Sequence, residues 1–414
     1  MTRLLLVAPP FAGHLYPLVG LAKGLRERGF DIRFASTPAA MPLLGRLGFP
    51  ADALLPDAPT ALEGIANTGA AVGHNPFRMV GQLRQNLAIL PQARAELDTL
   101  IARHDPHLVL ADFTAPIAGW AAQAAGVGWI TTMPTPFALE TRRGTPSYCG
   151  GWSEPTRGWH AARDAAGRLA VRGFKNAVQL GFGAELRRLG TRVYRPDGTE
   201  AVYSPLRILG LGVAELEFDR DWPEGFSLIG PMTASAEPGD LPDPLLRPGR
   251  RVLVTLGTHL WWAKDALAPA VARLAQAFPE HEFVISRGEA GGTGVRRVAD
   301  RVLECDYLPY DEALPRFEAV IHHGGAGIAY STLRAGLPAL AWPHDYDQPD
   351  FTARLVARGA ALRIRDLTSV RTTQALRTAL GGLPGVARLQ AAVLAADPLA
   401  ATERAIEEVI ASSG

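Results

Sequence analysis

VIHHGGAGIAYSTLRAGLPALAWPHDYDQ, residues 320–348, carries an apolar strand that ends at His322, a turn holding Gly324, Gly325 and Gly327, and then a helix. Glycines let a backbone come close to a ligand, and the N–H groups and dipole at a helix start favour an anion. The stretch therefore reads as a cradle for a diphosphate that takes its positive charge from backbone rather than from a metal. It has no phosphate-loop lysine, which argues against a nucleoside triphosphatase, and GGAG does not complete the dinucleotide fingerprint. Taken alone, such a turn is equally compatible with a purely structural bend.

Working outward, the same alternation recurs on both sides. RVLVTLGT (residues 251–258) is a basic start, a buried strand and an abrupt loop, and further strands are predicted at 282–286, 302–305, 319–322 and 338–342, with a helix near Glu312. Upstream, residues 231–249 hold Pro231, Pro238, Pro242, Pro244 and Pro248 among small and acidic residues, the composition of a semi-rigid linker. The first half opens as the second does. RLLLVAPP (residues 3–10) is stopped by Pro9 and Pro10, and the loop FAGHLY follows. Pro17 then suits a first helical turn, Leu18, Leu21, Ala22 and Leu25 recur at helical spacing, and Gly29 marks the stop. Strands at 31–35, 107–111 and 129–133 and a helix at 115–125 complete the alternation, with Asp112 at a strand end. Residues 134–205 read as less regular and carry Phe137, Tyr148, Trp152 and Trp159, a candidate acceptor-facing insertion.

The expectation is an α/β protein with two Rossmann-like doubly wound domains facing across a cleft, with ligands at strand carboxyl ends. Its parts are a first domain (1–230), the linker (231–249), a second domain (250–385) and a C-terminal helical segment (386–414) packing back on the first domain. Composition agrees with a globular chain of this size: 414 residues, 47% hydrophobic and 20% charged. Lys plus Arg number 42 against 41 Asp plus Glu, so no broad basic field exists to hold nucleic acid. Cys149 and Cys305 cannot form a disulfide framework, and a reducing cytoplasm fits. No run approaches the roughly 18 apolar residues of a membrane span, which leaves only peripheral membrane contact.

HHGGAG, AGLPALAWP and DQ at this spacing, with GHLYP near the N-terminus and VLVTLGT after the linker, resemble family-1 glycosyltransferases, the plant UDP-sugar and bacterial natural-product enzymes. The resemblance implies a GT-B fold in which residues 1–230 bind the acceptor and residues 250–385 the nucleotide sugar. It implies that His323 contacts the diphosphate, that Gly325, Ala326 and Gly327 present amides, and that Thr258 adds a phosphate contact. It implies that Asp347 and Gln348 hold sugar hydroxyls and that Tyr307 stacks on the nucleobase. Tyr307 as ordinary core and Thr258 as a helix cap are the plainer alternatives. The chain departs from the family at Ile328, a donor-site position where relatives have Ser or Thr. It departs again at Phe351, at Tyr310, and at Ser331, where UDP-preferring members carry a ribose-binding carboxylate. Ser331 leans the donor towards a TDP-sugar.

Attack by an acceptor hydroxyl on the anomeric carbon needs a base with a pKa near neutrality, and His14 is the candidate, oriented by Asp112 in VLADF. A surface-loop histidine and a helix N-cap are their bland readings. Phe11, Phe77, Phe137 and Tyr148 are candidate acceptor contacts. Asp219-Arg-Asp221 and Asp345-Tyr-Asp347 mimic the paired aspartates of metal-dependent transferases. The cradle already supplies positive electrostatics, so no metal or other cofactor is expected beyond a TDP- or UDP-hexose as donor substrate. The expected reaction is a single inverting transfer of a hexose to a hydroxyl of a small hydrophobic acceptor, by a monomer or homodimer. An epimerase of this architecture, a non-catalytic nucleotide-sugar sensor and a dinucleotide dehydrogenase are the rival classes.

Overall fold

The computed structural model describes residues 1–66, 72, 75–233, 239–258, 260–289 and 292–413, so residues 234–238 of the predicted linker lie outside the described residues. The first half runs β1 (Arg3–Val7), α1 (Ala12–Glu27), β2 (Asp31–Ser36), α2 (Met41–Arg46), β3 (Ala51–Ala53), α3 (Ala61–Ala66) and α4 (Pro76–His104). It continues with β4 (Leu108–Asp112), α5 (Pro116–Ala124), β5 (Gly128–Met133), α6 (Gly158–Arg188), β6 (Arg207–Gly210) and β7 (Phe226–Leu228). The second half runs α7 (Asp243–Leu246), β8 (Arg250–Thr255), α8 (Trp261–Lys264), α9 (Leu267–Ala275), β9 (His281–Ser286), β10 (Val295–Ala299), β11 (Val302–Cys305), α10 (Tyr310–Ala313) and β12 (Ala319–His322). Then come α11 (Ala326–Arg334), β13 (Ala339–Ala341), α12 (Gln348–Ala357), β14 (Ala361–Arg363), α13 (Val370–Leu380), α14 (Val386–Ala395) and α15 (Pro398–Ser413).

Two seven-stranded sheets result, ordered β3-β2-β1-β4-β5-β6-β7 and β10-β11-β9-β8-β12-β13-β14. Every pairing is parallel except β10 against β11. Strands such as Leu4–Leu6 and Val252–Val254 are apolar on both faces because helices cover both sides, which is why they read as continuous runs. Each sheet reverses its order once at its centre, between β1 and β4 and between β8 and β12. Loops leaving neighbouring strands part to opposite faces there and open a crevice.

Two local expectations are corrected, and one plainer alternative is set aside. The helix after β1 starts at Ala12, not at Pro17, because the extended Phe11 accepts from the amides of His14 and Leu15 and places Pro17 inside the helix. Its missing N–H leaves one helical bond unmade. Residues 134–205 are not irregular throughout, since α6 fills 31 of them and merges two helices across a kink at Phe182. Asp112 is no N-cap: it ends β4, and Ala115 caps α5.

The C-terminal segment divides its packing. Leu389 and Val393 of α14 join a cluster with Ala329 and Leu333 of α11 and with Phe137, Val213 and Leu216 of the first half. α15 instead places Ala405, Ile406 and Val409 in the core over the first sheet. Gly24 of α1 leaves the space that Leu399 enters.

Candidate active site

One continuous cleft of about 790 Å³ lies between the two switch points and takes walls from both halves. On the first-sheet side the short β1–α1 loop delivers His14 in the opening turn of α1, and the end of β4 delivers Asp112. Their contact is 3.0 Å from His14 Nδ1 to Asp112 Oδ1, with the Asp112 side chain fully buried and that of His14 24% exposed. The backbone N–H and the hydroxyl of Thr114 also donate to Asp112 Oδ1, so the carboxylate is held from two directions. With the carboxylate accepting at Nδ1, the imidazole presents the lone pair of Nε2. Phe11 and Phe113 flank the ring at centroid distances of 6.4 and 5.5 Å. Burial is the largest influence on His14 and pulls its pKa down. The charge and hydrogen bond of Asp112, with the charge of Asp347, outweigh it and raise the pKa above 6.5.

On the second-sheet side the paired histidines separate into two roles. His322 is buried, and its Nδ1 accepts from the amide of Gly324 at 3.0 Å, which shapes the turn. Burial pushes its pKa down to about 4, so it is neutral. His323 lines the cleft. Gly325 caps α11 in an extended conformation, and a Cβ there would collide with His323 Nε2. Around Gly327 a Cβ would meet nothing within 4 Å, so the first turn of α11 opens onto the cleft. Gly257, at φ +70°, passes so close that a Cβ would stand 2.7 Å from the His323 ring. The result is an anion-sized concavity at the positive end of a helix.

The remaining predicted donor residues Thr258, Tyr307, Ala326, Ile328, Ser331, Asp347 and Gln348 all line the same cleft. Gln348 Oε1 accepts from the amides of His344 and Asp345 at 2.8 and 3.0 Å, which leaves its NH₂ for a ligand. Asp347 Oδ2 accepts from the Thr135 hydroxyl at 2.9 Å, and burial raises its pKa against that bond and the His14 charge. Asp345 serves the amides of Val72 and Tyr346, and Asp221 that of Arg143, so the two motifs direct these carboxylates to separate partners. No group of three His, Cys, Asp or Glu side chains is placed to hold a metal among the described residues.

The acceptor expectations divide. Phe11 and Tyr148 line the cleft, and Tyr148 holds φ +60° while its amide donates to Asp350 at 3.1 Å. Phe137 does not face the cleft: it is fully buried, with its ring 4.8 Å from that of Phe351 and 4.1 Å beneath the Arg354 guanidinium. Phe77 is 87% exposed, outside the cleft. The acceptor side is walled instead by α4, α5 and α6 through residues such as Leu83, Leu90, Ile117, Trp120, Val178 and Leu186. Trp261 and Trp262 line the mouth, and their adjacency just after a strand-end loop was the available signal. No described helix is long and apolar enough to cross a membrane.

Comparison with known proteins points the same way. Residues 271–410 match the family described as erythromycin biosynthesis protein CIII-like, C-terminal domain. The chain is 29% identical to elloramycin glycosyltransferase ElmGT of Streptomyces olivaceus, over 91% of this chain and 89% of that one. It is 27% identical to UDP-glucosyltransferase B1 of Starmerella bombicola, over 90% and 89%. The solved structure of glycosyltransferase VinC in complex with dTDP superposes with a TM-score of 0.69 over 99% of this chain and 100% of that one, at 20% identity. A cleft built at two Rossmann switch points, one offering an anion cradle and the other a carboxylate-backed histidine, thus joins relatives that are glycosyltransferases along nearly the whole chain, and the protein is a nucleotide-sugar-dependent hexosyltransferase of GT-B fold, similar to the natural-product glycosyltransferases.

Proposed function

We propose that the protein moves a hexose from a nucleotide diphosphate sugar, TDP in preference to UDP, onto a hydroxyl of a small apolar acceptor, by one in-line displacement that inverts the sugar carbon and uses no metal. The observation that carries this reading is the 3.0 Å His14–Asp112 pair facing the same cleft as the open first turn of α11. His14 Nε2 takes the proton as the acceptor oxygen attacks, and Asp112 stabilises the imidazolium that forms. The amides at Gly325, Ala326 and Gly327, with His323, receive the charge that develops on the departing diphosphate. Thr258 adds a phosphate contact, Asp347 and the NH₂ of Gln348 hold sugar hydroxyls, and Tyr307 stacks on the base. Ser331, 5% exposed on the cleft side of α11, offers no carboxylate to a ribose diol, which suits a 2′-deoxyribose. We place the enzyme in the cytoplasm, as a monomer or homodimer.

A sensor would have no use for the His14–Asp112 pair, and an epimerase would turn over with donor alone. Wild type and His14→Ala, each given a simple alcohol acceptor with TDP-glucose or UDP-glucose, separate these readings. The expected result is a loss of transfer of about 100- to 10,000-fold in the variant. Thermal stabilisation by TDP should be retained, since a ligand that binds only the native state raises stability by mass action. TDP-glucose should be the better donor for the wild type. Near-normal transfer by the variant overturns the base, and a preference for UDP-glucose overturns the donor assignment.

A further inference from the structure

The fixed charges of the cleft are segregated. Its carboxylates, Asp345 and Asp347, belong to the second half, and Arg192, just beyond α6, is the only Lys or Arg among the described residues that line it. Three arginines of the same region are committed elsewhere. Arg94 donates to the Leu189 carbonyl at 3.0 Å, Arg195 to the Glu200 carbonyl at 2.8 Å, and Arg172 pairs with Glu140 at 3.4 Å. The Arg192 guanidinium has no such partner among the described residues. Around it the lining is apolar, from Val178 and Leu186 of α6 to Val193 and Val202. The chamber is also long. On α4 its lining runs from Gln82, whose amide reaches the Tyr346 hydroxyl across the domains, to Ala93, and at 1.5 Å per residue that is about 16 Å.

An apolar acceptor filling this chamber displaces the water that solvates Arg192. A guanidinium stripped of water beside aliphatic groups is costly unless the incoming molecule supplies acceptor oxygens, and a carboxylate matches its two-pronged donor geometry. We propose that Arg192 receives a carboxylate carried by the acceptor, so that the acceptors are apolar hydroxy acids. The proposal rests on the transferase reading above and adds the acceptor class to it.

The test uses two matched pairs of full-length acceptors: ω-hydroxydodecanoic acid and lithocholic acid, each beside its methyl ester. Binding is measured by calorimetry and transfer by kcat/KM, in wild type, Arg192→Leu and Arg192→Lys. For at least one pair the wild type should favour the acid by about tenfold or more in both readouts, as a charge-assisted bond requires. The ratio should collapse towards one in Arg192→Leu and be largely restored in Arg192→Lys. Stabilisation by TDP serves as the check that each variant is folded. Esters bound as well as acids by the wild type, or an acid preference that survives in Arg192→Leu, would overturn the proposal. Esters transferred efficiently alongside that result would leave the transferase reading intact, whereas acids bound through Arg192 with no transfer would sink that reading and keep this one.

Discussion

His14 can act as a base only while its Nε2 is unprotonated, so the forces on the imidazole set the acid limb of the reaction. Burial favours the neutral ring, but the Asp112 charge and hydrogen bond, with the Asp347 charge, favour the cation and raise the pKa. kcat/KM of the free enzyme should therefore fall, as pH drops, through a value above 6.5. The same pair adds stability that is complete below 6.5 and disappears as pH rises through the raised folded value. Asp112→Asn removes the two influences that Asp112 supplies and leaves burial opposed by Asp347 alone, so the acid limb should move to lower pH. The plateau rate should also fall, because a neutral amide supports the wrong tautomer and a weaker imidazolium. A pH–kcat/KM profile of the variant measures both effects, and an unmoved limb would make Asp112 a bystander. At this scale the sequence marked His14, Asp112 and the cradle glycines. It could not mark Gly257, whose Cα hydrogen faces the His323 ring, or Thr135, which meets Asp347 across the cleft, because both contacts join residues far apart in the chain.

Among the elements, α12 ties the proposed sugar-binding Asp347 to domain docking. Asp347 at its cap bonds Thr135, Asp350 accepts from the Tyr148 amide, Arg354 pairs with Glu217 at 2.7 Å, and Arg358 reaches Glu154 at 2.8 Å. These positions recur every three or four residues, so one helix face grips the first half along its length. The Arg354 and Glu217 side chains are 1% and 2% exposed, and the guanidinium also lies over the Phe137 and Phe218 rings. Glu217→Ala leaves that cation buried without its carboxylate and should cost about 3–5 kcal/mol in denaturant unfolding. A loss below about 1 kcal/mol would mean that the ring contacts and the Asp350 carbonyl at 3.1 Å suffice. The sequence displayed α1 and α11 because each follows a buried strand and buries a regular apolar face. It hid α6, whose buried positions are only His160, Asp164, Gly167, Gly183 and Leu186, so no apolar period announces it. Without α6 and α4 the acceptor wall could not be read, and Phe77 and Phe137 stood in for it.

Across the whole molecule the net charge is only +1, so the positive field a departing diphosphate needs is local and has to be built from dipoles. On the reading proposed above α11 would supply it: its cap and first turn face the cleft beside His323, with room for an anion at Gly327. Three of the paired aspartates carry hydrogen bonds of their own. Asp345 bonds the amides of Val72 and Tyr346, Asp347 bonds Thr135, and Asp219-Arg-Asp221 lies off the cleft, with Asp221 on the Arg143 amide. Preorganised amides stabilise developing charge without reorganising as the bond breaks, the part that a cation plays in metal-dependent transferases. Transfer should accordingly proceed at an undiminished rate in a large excess of EDTA, and added magnesium or manganese should change kcat by less than about twofold, well under the several kcal/mol a Lewis acid contributes. Turnover that vanished with chelator and returned with manganese would move the leaving-group chemistry from α11 to one of the aspartate pairs. Turnover indifferent to both leaves the second-sheet switch point as the source of the stabilising charge, opposite the base proposed at the first-sheet switch point.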